Sequence, residues 1–111
     1  MKLKEFKSLI KKRMAICNKV LIEKNNTYAD IDVLSNFKRA AELQRVSVED
    51  ALLGMLTKHT VAIYDFVYRL RFDEHVPAEE WEDKLTDIHN YFYLLEAVLQ
   101  EHCIIQPWAP E

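Results

Sequence analysis

Five carboxylates within nine residues, Glu79, Glu80, Glu82, Asp83 and Asp87 of the stretch EEWEDKLTDIHNY, are the side chains of this sequence best placed to do chemistry. At ~100° per residue, Glu79, Asp83, Asp87 and Asn90 fall on one line of a helix. A helix dipole favours acids in its first two turns, which accounts for Glu79, Glu80, Glu82 and Asp83. Asp87 lies beyond that benefit, and stacking it on Asp83 costs ~0.2–0.5 kcal/mol of like-charge repulsion. Further along, the same line becomes Leu94, Ala97 and Val98, so it reads as a covered face. Glu82, Thr86, His89, Tyr93 and Gln100 then form the solvated face, and Trp81, Leu85, Ile88, Phe92, Leu95 and Leu99 the core stripe. Covered carboxylates need compensation, because burying an unpaired one costs several kcal/mol. Two kinds are open: inter-helix ion pairs with Lys24, Lys58, Arg69 or Arg71, or a hard divalent ion. Oxygen-only ligands suit Mg²⁺ or Mn²⁺, which keep waters and leave room for a phosphate-bearing substrate.

The elements that must position this line are helices. One Gly and three Pro in 111 residues, half of them apolar, leave little turn punctuation and enough apolar material for one core. Phe6, Ile10, Met14, Cys17 and Leu21 recur at helical spacing, predicting a first amphipathic helix to about Lys24. Its other face carries Lys7, Lys11, Lys12 and Lys19, diluted by Glu5 and Glu23, as a solvated bundle face does. The stretch KNNTYADIDVLSNF, rich in residues that bond their own backbone, predicts a loop, with a short helix resuming near Asp32 or Ser35 and running through Leu43. Ser47 with Asp50 three residues on predicts the cap of a third helix reaching about Phe72, its stripe Leu52, Met55, Leu56, His59, Ile63, Phe66 and Leu70. His59, central in that stripe, reads as a hydrogen-bonded core histidine. Pro77 suits the first turn of a fourth helix running to about His102. The expected architecture is an all-α, antiparallel four-helix bundle-like fold in one domain, residues 1–103, followed by an extended arm, 104–111, where Pro107 and Pro110 exclude helix.

The formal net charge of −3, with both signs interspersed, provides no basic field for a nucleic-acid polymer. The apolar runs are too short for a membrane span or a signal-peptide core, so the expectation is a cytoplasmic protein without a membrane partner. Cys17 and Cys103 stand alone in the sequence and read as thiols on apolar helix faces.

The order LIEKNNTYADIDVLSNF, MLTKH, EEWEDKLTDIHNY, spanning about Cys17 to Leu99, resembles the nucleotide-modification-associated domain family of phage and bacterial proteins, itself similar to the all-α NTP pyrophosphatases of the MazG and dimeric dUTPase kind. The fourth helix carries the most specific part: Glu79, Asp83 and Asp87 at the family's spacing, then the pair Asn90 and Tyr91. A Lys before an Asx-rich turn, a Tyr and an Asn-Phe pair match as Lys24, Tyr28, Asn36 and Phe37, and the third-helix Lys as Lys58. Departures are Ala29 where the family commonly has Gly, no Arg near Val61, and no ExxE pair on an earlier helix, where MazG-type enzymes place it, since Glu23 has no Glu three residues away.

What the resemblance implies is a MazG-like architecture in the cytoplasm, the host's in the case of a phage protein, and a dNTP or modified nucleotide as ligand, with Mg²⁺ or Mn²⁺ bridging acids and phosphates. Glu79, Asp83 and Asp87 would be metal ligands or the general base of a pyrophosphohydrolase. Lys24 and Lys58 would meet phosphate oxygens, Tyr28 would stack on base or sugar, and Asn36, Asn90 and Tyr91 would complete the substrate site. The competing expectation is a small helical interaction protein that kept the fold without the chemistry, which the missing ExxE pair, Trp108 and the run Tyr91, Phe92 and Tyr93 support. On either, a homodimer or higher homo-oligomer is expected.

Overall fold

A computed structural model describes residues 1–26 and 32–107, with the side chains of residues 24–26 left out of the description. Among the described residues the chain folds as four helices, α1 (Leu3–Asn26), α2 (Ser35–Gln44), α3 (Val48–Leu70) and α4 (Ala78–Glu101), in an all-α, four-helix bundle-like arrangement. Helix α1 packs on α4, α4 on α3, and α3 on α2.

Each start has a local cause. Ser47 Oγ accepts the Asp50 backbone N–H at 3.0 Å, while Glu49 and Asp50 complement the positive end of α3. Pro77 caps α4, its missing N–H costing nothing where no intrahelical partner exists. Asp32 organises the approach to α2: its carboxylate accepts the Leu34 N–H at 2.9 Å and pairs with Lys38. The hydrogen bond from Lys38 is the main reason that carboxyl is held below its ordinary range. The helix ends are unusual, because with only Gly54 available, and that inside α3, the left-handed residues that turn the chain after α2, α3 and α4 are Arg45 (φ 57°), Asp73 (φ 54°) and Cys103 (φ 59°). Beyond Cys103 the Ile104 and Ile105 N–H groups bond back to the Leu99 carbonyl at 2.9 and 3.4 Å. Cys103 is therefore an exposed thiol just past α4, not one on an apolar helix face, whereas Cys17 is buried in α1 as expected.

The core is small and lies toward one end: Leu34, Phe37, Leu52 and Val98 are buried together, with Val48, Met55, Tyr91, Leu94, Leu95 and Ala97 packed around them. Helices α3 and α4 run antiparallel, Leu52 meeting Val98 at this end and Phe66 meeting Trp81 edge-on at 5.1 Å near the other.

Two expected faces are corrected. On α4 the buried residues are Thr86, Asn90 and Val98, while Phe92 of the expected core stripe is exposed. Thr86 is not on a solvated face, because Arg13 of α1 reaches across, donating to Thr86 Oγ1 at 2.7 Å and pairing with Glu82, which stays exposed as expected. The second correction is on α1: Cys17 is buried, yet Phe6, Ile10 and Met14 of the same stripe are exposed. Leu70, last in the α3 stripe, is exposed too.

Candidate functional site

The acidic line of α4 faces α3 where Asp87, Asn90 and Tyr91 come together. Asp87 is half-buried, with its Oδ2 3.5 Å from His59 Nδ1. Lys84 Nζ stands 3.4 Å from the same nitrogen. One ring nitrogen serves one of the two: protonated, Nδ1 faces Asp87 as a donor, and unprotonated it accepts from the Lys84 ammonium, which can only donate. The compensation that α3 offers Asp87 is thus the His59 imidazole in the tautomer with Nδ1 protonated. Of the basic residues expected to supply it, Arg69 bonds Asp65 of its own helix at 3.1 Å, Arg71 lies over the Tyr68 ring, and Lys58 is exposed. His59 is the half-buried, polar-contacted histidine that its place in the α3 stripe predicts.

Tyr91 ties three helices to this point. Its ring meets His59 of α3 at 5.1 Å and the edge of Phe37 of α2 at 6.1 Å. Burial, and secondarily the Asp87 carboxylate, push its hydroxyl above the ordinary tyrosine value, so it stays a neutral hydrogen-bond donor. One turn from Asp87, Asn90 is 7% exposed, and its Oδ1 has no hydrogen-bond partner among the described residues. An unsatisfied buried carbonyl costs ~1–3 kcal/mol, which makes it the polar atom of this face most in need of a ligand.

The other expected site residues surround this cluster unevenly. Asp83 and Glu79 lie one and two turns toward the start of α4, both exposed. Carboxylates eight residues apart on a helix are separated by ~12 Å of rise, too far to share one ion directly. Accordingly, among the described residues no three His, Cys, Asp or Glu side chains gather into a metal-holding group. Asp83 and Asp87, one turn apart, remain the pair suited to Mg²⁺, which is ordinarily held by one or two carboxylates plus substrate phosphates. Asn36 is exposed on α2 beside Phe37, and Lys58 is exposed on α3 beside His59. The Lys24 side chain, Tyr28 and Trp108 lie outside the described residues.

Sequence reasoning missed Lys84, and Arg13 and Thr86 behind it. Lys84 sits among the acids and reads there as one more solvated charge; only the position of His59, 25 residues away, gives it a role.

Among the described residues no helix is long and apolar enough to cross a membrane. No protein-family model, no curated protein and no solved structure matches the chain.

Proposed function

We propose that this protein binds a nucleotide, a deoxynucleoside triphosphate or a modified nucleotide, together with Mg²⁺ or Mn²⁺ on the α4 face bearing Asp83, Asp87, Asn90 and Tyr91, and hydrolyses it as a pyrophosphohydrolase. The observation that carries the reading is the unpartnered, buried Asn90 oxygen one turn from Asp87, in the Asp-Asn-Tyr pattern that resembles the nucleotide-modification-associated family. Asp83 and Asp87 hold the cation, which supplies Lewis acidity and an activated water when bound. Asn90 offers an acceptor to the amino edge of a base or to a sugar hydroxyl, and Tyr91 a neutral donor. Lys58 and Lys84 are the cations at hand for phosphate oxygens, and Asn36 with Phe37 borders the same end of the site. Lys24 and Tyr28 complete the substrate contacts on the strength of the resemblance, and Glu79 acts as an outer carboxylate.

A second reading is a helical interaction protein that has lost the chemistry. The missing ExxE pair and the exposed apolar half of α1 favour it. The two are separated by the unfolding midpoint of the wild type and of Asp83→Asn with a panel of deoxy- and ribonucleotides, with and without Mg²⁺. Selective binding at a hundredfold excess over Kd stabilises the folded state by ~2.7 kcal/mol whether or not a reaction follows. The nucleotide reading expects a rise that requires both Mg²⁺ and one nucleotide and is lost in Asp83→Asn. No rise with any nucleotide hands the protein to the second reading.

A further inference from the structure

Helix α1 is amphipathic along its whole length, yet only part of it is covered. From Arg13 onward it meets α4, through the bonds to Thr86 and Glu82 and the buried Cys17. One to three turns earlier, the face that carries Cys17 also carries Leu3, Phe6 and Ile10, which are 66%, 48% and 41% exposed. Residues that repeat at core spacing and lie bare form a contiguous apolar strip, which single scattered exposed residues do not.

The scale of the exposed surface fits the same picture. A folded monomer of this mass exposes about 6,400 Å². This chain exposes 9024 Å², and its radius of gyration is 16.4 Å. A compact chain of the same length has a radius of about 13 Å. The excess area is about 2,600 Å², the size of one partner's share of a large obligate interface, which buries roughly 2,000–5,000 Å² in total.

A receptor for the strip lies on the same molecule. Met14, Ala15, Asn18, Leu21 and Tyr93 line a mainly apolar groove of about 480 Å³ between α1 and α4. It begins where the bare strip ends, at Met14. With strip and groove on one surface, two copies related by a two-fold axis can each seat the strip in the other's groove. The charges agree, because Lys2 just before α1 and Lys4, Lys7, Lys11 and Lys12 on its first half stand against Glu5 alone, while α4 opens with Glu79 and Glu80. We infer that the first half of α1 docks in the α1–α4 groove of a second copy of this chain, making a two-fold dimer in which each copy lends its helix to the other.

The test is the mass and dissociation constant of the full chain by light scattering and analytical ultracentrifugation. The expected mass is twice 13.2 kDa. Truncating the strip in Phe6→Ala/Ile10→Ala, or the groove in Tyr93→Ala, is expected to raise the dissociation constant at least tenfold. Val61→Ala/Tyr64→Ala, truncating exposed apolar residues of α3, is expected to leave it within twofold. These truncations are mild and the side chains exposed, so far-UV circular dichroism at high concentration should show wild-type helix content. A wild type that stays monomeric at every concentration overturns the inference, as does a monomer that sediments with anionic vesicles through the basic face of α1. A dimer weakened by the α3 pair and not by the α1 pair overturns it equally.

Discussion

Asn90 is the residue at which structure and function make opposite demands. A buried amide oxygen without a partner destabilises a fold, and an apolar side chain of similar size is ordinarily the better occupant. Asn90→Leu is therefore expected to unfold at the same denaturant concentration as the wild type or a higher one, by up to ~1–2 kcal/mol, while losing the Mg²⁺-dependent nucleotide shift. A loss of more than ~1 kcal/mol in chemical denaturation shows instead that the amide has an unrecognised structural partner. The sequence discloses that Asn90 lies on a covered line, since Leu94, Ala97 and Val98 continue it. It does not disclose how Asp87 is compensated, because Lys84 and His59 act from two helices and spacing within one helix is blind to its neighbour. Thr86 was misleading for the same reason: a hydroxyl on a polar-looking face is buried because Arg13, 73 residues away, is long enough to reach it.

At the scale of the element, the bounds of the helices were legible and the backbone conformation that ends them was not. Ser47 and Pro77 announce α3 and α4 by chemistry that any reader of caps would recognise. The ends lack the glycines that normally mark them, and a left-handed conformation at Arg45, Asp73 or Cys103 leaves no trace in the residue type. That conformation costs an L-residue about 1–2 kcal/mol, part of which glycine recovers, less its own entropy in the unfolded chain. Arg45→Gly is thus expected to raise stability by ~0.5–1 kcal/mol, and Arg45→Val, whose branched Cβ worsens the clash, to lower it by more than ~1 kcal/mol, both read as shifts in urea midpoint at constant slope. The stabilisation should follow the site and not the lost charge, since the Arg45 side chain is exposed. An Arg45→Gln variant as stable as Arg45→Gly would remove the backbone explanation.

For the molecule as a whole, the all-α class and four helices follow from periodicity and the shortage of Gly and Pro, whereas the degree of enclosure does not. A stripe such as Phe6, Ile10, Met14, Cys17 and Leu21 states that a face will be covered and is silent about whether by its own chain. Here four helices enclose a core whose buried centre is Leu34, Phe37, Leu52 and Val98, little for a chain of this length, and leave half of that stripe bare. If a second copy supplies the missing cover, folding and association are one equilibrium, and stability depends on protein concentration. A tenfold rise in concentration then favours the folded dimer by ~1.4 kcal/mol, and at ~2.1 cal/mol/K per residue over two chains of this length the unfolding midpoint climbs by ~3 °C. A self-contained monomer has a midpoint independent of concentration. Scanning calorimetry over two decades of concentration is thus expected to give a rise of ~6 °C for the wild type, and the rise should persist in Val61→Ala/Tyr64→Ala on α3. A flat midpoint would mean that the small core suffices alone and that the bare half of α1 is simply exposed.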